Sequence, residues 1–294
     1  MRSRLLAALI LGLTALPALA DPTRPAMSTD WKEVVPADET ERFDQAARTI
    51  ADIQKQIAAE SGSPVLRGFH AKAHTALLAE FQVVPGLPEY ARYGIFRESK
   101  SFKAWVRFSN GVGLVQGDRK PDVRGIAIKV IGAQGTGLLE GEENAHTQDF
   151  LMTNNPVQVR NADQFVAFAK ANVDPRGVLP SLIKALGLKE ALRIAKLLSS
   201  TALRPIKSVA AETYWTAGPL KFGPYAVKCL VRPSQPVHAS LNLLGSKDYL
   251  REELQERLKK EDIRFDFLVQ YYRDPELTPM EDSSIQWLET SAPR

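Results

Sequence analysis

Apolar and polar positions along the chain change their periodicity after an N-terminal helix. Residues 40–62 carry apolar side chains at helical spacing and end at Ser61-Gly62, which predicts a helix closed by a glycine. From Phe81 to Val159, short alternating runs are separated by Pro, Gly, Asn and Asp. The predicted strands are 80–84, 93–96, 104–111, 123–132 and 149–154. They favour an antiparallel barrel or sandwich over alternating strands and helices.

The second half of the chain is mixed. Residues 161–172 and 181–198 predict helices, and an apolar face on the second favours packing against a core rather than against a membrane surface. That face consists of Leu182, Ile183, Leu186, Leu192 and Ile194. Strand-like alternation returns at 223–233 and 263–274, and the charged residues 246–262 between them predict a helix.

The first twenty residues have the features of a secretory signal peptide. Two early arginines precede an apolar run from Leu5 to Leu16, and small residues at 18–20 form a cleavage site before Asp21. We therefore expect a mature chain that starts at Asp21, forms one domain over 21–294, and is periplasmic or secreted. No other apolar stretch is long enough to cross a bilayer.

Charge and cysteine content narrow the partners and the chemistry. Removing residues 1–20 takes two arginines away, so 36 basic residues face 34 acidic ones and the net charge falls from +4 to +2. With no basic cluster interleaved with aromatics, we expect no nucleic-acid partner. Cys229 is the only cysteine, so an internal disulfide is excluded, and its alternating surroundings predict a small buried hydrophobe rather than a nucleophile.

Half of the four histidines lie within residues 67–74, "RGFHAKAH". Four positions apart, His70 and His74 would share one face of a helix, as a metal pair often does. No acidic residue lies between them, and the ammonium of Lys72 beside a dication is unfavourable, so zinc is disfavoured. The serine-hydrolase motif GxSxG is absent, and "GVGLVQG" is too loose for a dinucleotide loop.

Four blocks in order carry a resemblance to a known family: "RGFHAKAH", "WVRFSNG", "PDVRGIAIKVIG" and "TQDFLMTNNPVQVR", with support from "YWTAGPLKFGPYAVKCLVRP". Together they resemble the catalase superfamily, most closely its branch of smaller bacterial haem proteins, from Arg67 to Trp287. The resemblance implies an α+β fold, a catalase-like antiparallel β-barrel with an N-terminal helical arm and helical insertions. It also implies a b-type haem.

The same resemblance assigns residues to the haem site. His70 matches the distal histidine of catalases, which accepts a peroxide proton and returns it to the leaving oxygen. Ser109 matches the serine that supports this histidine by hydrogen bonding. Arg67 and Arg107 match the arginines that face the haem propionates, which a guanidinium holds with two hydrogen bonds. No metal-ligating residue follows from the motif.

The distal asparagine is assigned with a choice. Aligning on Pro156 puts Thr153 where catalases have their catalytic asparagine, and a shift of one residue gives Asn154, which we favour over Asn155. A turn asparagine before the proline is the alternative. Of the remaining residues, Arg124 matches the block that builds a barrel strand. His74 has no catalase counterpart, and a structural role is the expectation for it.

Catalases take their axial ligand from a tyrosine in an Arg-x-x-x-Tyr helix. The chain contains no arginine followed four residues later by tyrosine, and Tyr271 and Tyr272 lie in a strand-like run. The expectation is therefore a C-terminally truncated member that lacks the proximal helix and binds haem weakly. Uncovered apolar barrel surface would favour self-association into a homo-oligomer.

Three functions remain open from the sequence. The first is an exported, haem-dependent catalase-like or peroxidase oxidoreductase that consumes hydrogen peroxide or an organic hydroperoxide. The second is a hydroperoxide-rearranging haem enzyme of the allene-oxide-forming kind. The third is a non-enzymatic remnant of the haem fold.

Overall fold

The computed structural model describes residues 26–139, 141–202, 204–240 and 246–287. The predicted signal peptide lies outside these residues. Helix α1 spans Glu39–Ser61. It ends at Gly62, whose φ of 62° is left-handed and whose N–H bonds the carbonyl of Ala58. The predicted glycine-closed helix is therefore confirmed.

Eight strands form one sheet in which all pairs are antiparallel. Their bounds are β1 Ala73–Gln82, β2 Ser101–Asn110, β3 Arg124–Ile131, β4 Thr147–Thr153, β5 Tyr214–Thr216, β6 Leu220–Phe222, β7 Tyr225–Pro233 and β8 Phe265–Tyr271. The order is β1-β2-β3-β4-β5-β7, and β7 also pairs with β6 and β8. These strands include all of the predicted ones except 93–96.

The predicted strand at 93–96 is wrong. Gly94–Phe96 is a short 3-10 helix, because Gly94 has a φ of 55° that an extended strand cannot contain. Its apolar residues are still used: the ring of Phe96 packs on those of Phe81 and Phe267.

The expected barrel is not closed by hydrogen bonds among the described residues. The pairing begins at β1 and ends at β8 and β6 without a ladder between these ends. The two ends instead approach through side chains, since the rings of Phe81 on β1 and Phe267 on β8 lie 5.3 Å apart. Phe150 on β4 contacts both rings. The sheet therefore bends around an aromatic core, and its first and last strands meet there without pairing.

The helices after β4 form a second, smaller cluster. They are α2 Ala162–Asn172, α3 Val178–Leu186 and α4 Leu188–Ala202, and α5 Tyr249–Leu258 follows later. The single helix predicted at 181–198 is broken by Gly187, whose φ is 81°. Leu182 and Ile194 are buried as expected, whereas Leu192 is 50 % exposed. No described helix combines the length and the apolar character that crossing a bilayer requires.

Candidate functional site

His70 lies in an irregular segment that crosses one end of β2. Its N–H donates to the carbonyl of Gly111 at 2.8 Å, and Arg107 donates from a guanidinium nitrogen to the His70 carbonyl at 2.6 Å. The φ of His70 is 55°, a left-handed conformation that is uncommon for a residue with a side chain. Backbone contacts on both sides of the residue therefore hold a strained geometry that fixes the direction of the ring.

Two residues fix the imidazole ring of His70. Nδ1 lies 3.0 Å from Oγ of Ser109, the partner that the resemblance predicts. The ring also lies close to Gly125 on β3: a Cβ atom placed on Gly125 would be 2.5 Å from Cε1 and 2.6 Å from Nδ1 of His70. A side chain at position 125 would overlap the ring.

The surroundings of His70 keep the ring neutral. Burial and the positive charge of Arg107 lower its pKa to about 4, against the opposing effect of a hydrogen bond to the backbone of Asn110, while Arg67 adds a further lowering. A neutral imidazole accepts a proton, so His70 is in the form that general-base chemistry needs at neutral pH.

Arg67 and Arg107 place two guanidinium groups beside His70. Burial and the nearby charge of Arg67 lower the pKa of Arg107. In the described ranges, neither group contacts a carboxylate. Two like charges without an acidic partner favour an anion between or beside them, and a pair of propionates fits this requirement.

Asn154, the favoured match to the distal asparagine, is held by the protein at both ends of its side-chain amide. It is buried, its side-chain oxygen accepts the N–H of Arg124 at 2.7 Å, and its side-chain nitrogen donates to Glu212 at 2.9 Å. Both ends of the amide are therefore used by the protein itself. Among the described contacts, Asn154 has none with His70, and it holds the backbone of Arg124, the residue before Gly125.

The register of the sheet places Thr153, the residue before Asn154, on the same face as the His70 ring. Ser109 on β2 pairs with Gly125 on β3, and Gly125 pairs with Thr153 on β4. Residues directly opposite one another on paired strands share a face, so Thr153 lies on the face that carries the His70 ring. Its hydroxyl accepts a hydrogen bond from the amide of Gln158 at 2.8 Å. Thr153 is the residue that alignment on the proline matches to the catalytic asparagine.

His74 is separated from His70 by the sheet. Its Nε2 bonds the side-chain oxygen of Asn110 at 2.9 Å, whereas His70 bonds Ser109, the residue before Asn110 on β2. Successive side chains of a strand point to opposite faces, so the two imidazoles cannot share a metal ion. No group of three acidic, histidine or cysteine ligands occurs in the described part of the chain.

A buried ionic network surrounds His74 and supports the structural role expected for it. Nζ of Lys72 lies 2.6 Å from Asp118 and 2.7 Å from Asp248, and His74 Nδ1 lies 3.8 Å from the same carboxylate of Asp118. Burial is the main cause that lowers the pKa of His74 to about 4. Lys72, His74 and Asp118 are almost completely buried. They join β1 to the start of α5.

Tyrosines with a free phenol are needed for an axial haem ligand. The hydroxyl of Tyr271 donates to the carbonyl of Tyr90 at 3.1 Å, and burial raises the pKa of Tyr271 well above its usual range. Burial also raises the pKa of Tyr272. Burial therefore favours the protonated phenol in Tyr271 and Tyr272, which is not the tyrosinate form that ligates haem iron. The residues around His70 fit a haem propionate and a proton acceptor, and these two tyrosines do not fit the role of the iron ligand.

Comparison with known proteins supports the fold and does not assign a function. No protein-family model and no curated protein matches the chain. Among solved structures, a bacterial catalase matches with a TM-score of 0.60. The fold is catalase-like. The match covers 100 % of this chain and 56 % of the catalase, at 18 % sequence identity. The chain thus spans a little over half of that catalase, and at this identity the likeness concerns the fold alone.

Proposed function

We propose that this protein is a haem-dependent oxidoreductase that consumes hydrogen peroxide or an organic hydroperoxide. The observation that carries the proposal is the neutral imidazole of His70, held by Ser109 at 3.0 Å and laid against Gly125 beside Arg107. This arrangement suits a proton acceptor whose direction is fixed before substrate arrives. The likeness to a bacterial catalase adds support from the fold.

The roles of the residues follow from their contacts. His70 takes the proton of the bound peroxide at Nε2, the ring nitrogen that Ser109 does not hold, and then returns it to the leaving oxygen. Ser109 fixes the ring orientation, and Arg107 fixes the backbone of His70 through its carbonyl. Arg67 and Arg107 hold the propionates. When bound, the haem supplies the redox chemistry on the O–O bond.

Two residues, Thr153 and Asn154, take the roles that the resemblance gives to one distal asparagine. Thr153 lies on the face of the sheet that carries the ring, where its hydroxyl would bond a peroxide oxygen in place of its 3.4 Å contact with the carbonyl of Asn155. Asn154 holds the backbone of Arg124 in place next to Gly125. Export belongs to the proposal as well: the mature protein starts at Asp21 and acts in the periplasm or outside the cell. N-terminal sequencing of the exported protein would contradict this part by finding residues 1–20 retained.

The experiment is a titration of the purified protein with hemin, followed by absorption in the Soret region and by peroxide consumption. The proposal predicts a saturable Soret band and peroxide removal above that of free hemin. Conversion of a fatty-acid hydroperoxide to an allene oxide without peroxide consumption would favour the rearranging enzyme. Absence of a saturable band would leave the non-enzymatic haem-fold remnant as the function.

A further inference from the structure

The backbone conformation at position 125 does not require a glycine. Gly125 is the second residue of β3 and pairs on both sides, with Ser109 of β2 and Thr153 of β4, and its φ is not among the positive values that only glycine adopts readily. In a strand, glycine is less favourable than a residue with a side chain. A reason other than backbone conformation must therefore account for a glycine at this position.

The three nearest neighbours of a Cβ atom at position 125 belong to the site. Such an atom would lie 2.5 Å and 2.6 Å from two ring atoms of His70 and 3.1 Å from Oγ of Ser109. The first two distances are far below van der Waals contact, so the ring would have to move. His70 cannot swing away freely, because its N–H, its carbonyl and its Nδ1 are all held by hydrogen bonds.

We propose that Gly125 is a positioning residue for His70: the bare backbone of β3 is the surface that sets the plane of the imidazole and the direction of Nε2. The inference rests on the proposed function of His70 as the proton-transfer group. The hydrogen bond to Ser109 fixes the position of Nδ1, and the close approach of Gly125 limits the χ1 and χ2 angles that the ring can adopt while it keeps that bond. Gly125 acts through His70 and needs no contact with substrate.

A double-mutant cycle tests the coupling without any use of activity. Gly125→Ala is expected to lower the Tm in the protein that retains His70. In the His70→Ala background the two closest contacts are removed and the contact with Oγ of Ser109 at 3.1 Å remains, so the substitution is expected to leave the Tm unchanged or to raise it, since alanine is better than glycine in a strand. Gly218→Ala, where a Cβ atom would meet nothing closer than 3.9 Å, is the matched control and should be neutral in both backgrounds.

If the single Gly125→Ala variant fails to fold, recovery of folding in the double variant supports the proposal. An equal loss in both backgrounds overturns it. A second readout is the titration of the His70 ring by NMR: displacement of the ring toward water should move its pKa in Gly125→Ala from about 4 toward 6.5. A His70 pKa that is the same in Gly125→Ala as in the wild type also overturns the proposal. Both readouts work on the haem-free protein, so a failure of the proposed peroxide chemistry would leave this result intact.

Discussion

Cys229, His70 and Lys228 show how burial acts on single titratable side chains. Burial raises the pKa of the Cys229 thiol to about 12, which keeps it an unreactive core residue as its strand pattern predicts. Burial is also the main cause that lowers the pKa of His70 to about 4 and of Lys228 to about 8. His70 has polar partners that orient it, whereas Nζ of Lys228 has no hydrogen-bond partner among the described residues and faces the ring of Trp287 at 5.4 Å.

Lys228 gives a prediction at this scale. Its folded-state pKa is depressed, so its contribution to stability is unfavourable at neutral pH and improves as the pH rises from about 8 toward 10.5. Lys228→Met removes the buried ammonium and should raise the free energy of unfolding at pH 7 by about 1–2 kcal/mol, after the loss of the contact with Trp287. Urea unfolding at pH 7 and pH 10 measures this, and the gain should shrink at pH 10. A loss of stability at pH 7 would show that the ammonium is stabilising.

Thr153 and Asn154 show how much of the candidate site could be predicted from the sequence. The resemblance predicted His70, Ser109 and Arg107, and the structure brings these three together. It favoured Asn154 over Asn155, while alignment on the proline gave Thr153, and a shift of one residue along a strand exchanges the two faces of the sheet. Gly125 was not predicted as a site residue, although an isolated glycine within the strand pattern 123–132 is itself a signal of close approach by another group.

At the scale of elements, β1 and α5 are joined through one lysine. Nζ of Lys72 bonds Asp118 at 2.6 Å, Asp248 at 2.7 Å and the carbonyl of Lys247 at 3.2 Å. Asp118 also accepts the N–H of Leu250 at 3.0 Å. Alternation predicted only the end of β1, through the strand at 80–84, and the charge pattern of 246–262 predicted α5. Because the bonded partners are far apart in sequence, the connection between the two elements could not be predicted.

Lys72→Met tests this connection. The substitution leaves the side chain of Asp118 buried without its cation, and removal of one partner of a buried ion pair costs about 3–5 kcal/mol. Lys129→Met is the matched control, because Lys129 pairs with Asp149 on the exposed face of the sheet and an exposed pair contributes about 0–1 kcal/mol. Equal free energies of unfolding for the two variants would refute a central role for the network.

For the whole molecule, alternation and turn residues predicted the antiparallel sheet, and the helical periodicity predicted α1, α2 and α5. Closure of the sheet could not be read from these patterns, since it depends on how the end strands approach one another. Here the rings of Phe81 and Phe267 occupy the space between β1 and β8. The break between α3 and α4 was readable in principle from Gly187, because a left-handed glycine ends a helix.

The two buried histidines make global stability depend on pH. His70 and His74 have folded-state pKa values of about 4, below the 6.5 of an unfolded chain, so the unfolded state binds more protons between these values. Stability is therefore expected to fall as the pH drops from about 6.5 toward 4, by on the order of 1–3 kcal/mol per histidine. Urea unfolding of the wild type against His74→Gln measures the slope. His146→Gln, at an exposed histidine, should leave it unchanged.

The central claim is that His70 transfers the peroxide proton. The most direct measurement is peroxide turnover per bound haem in His70→Ala, compared with wild type and with His146→Ala at equal haem content. The account predicts a loss of roughly two or more orders of magnitude in His70→Ala and none in His146→Ala. Turnover in haem-loaded His70→Ala equal to that of the wild type would contradict it.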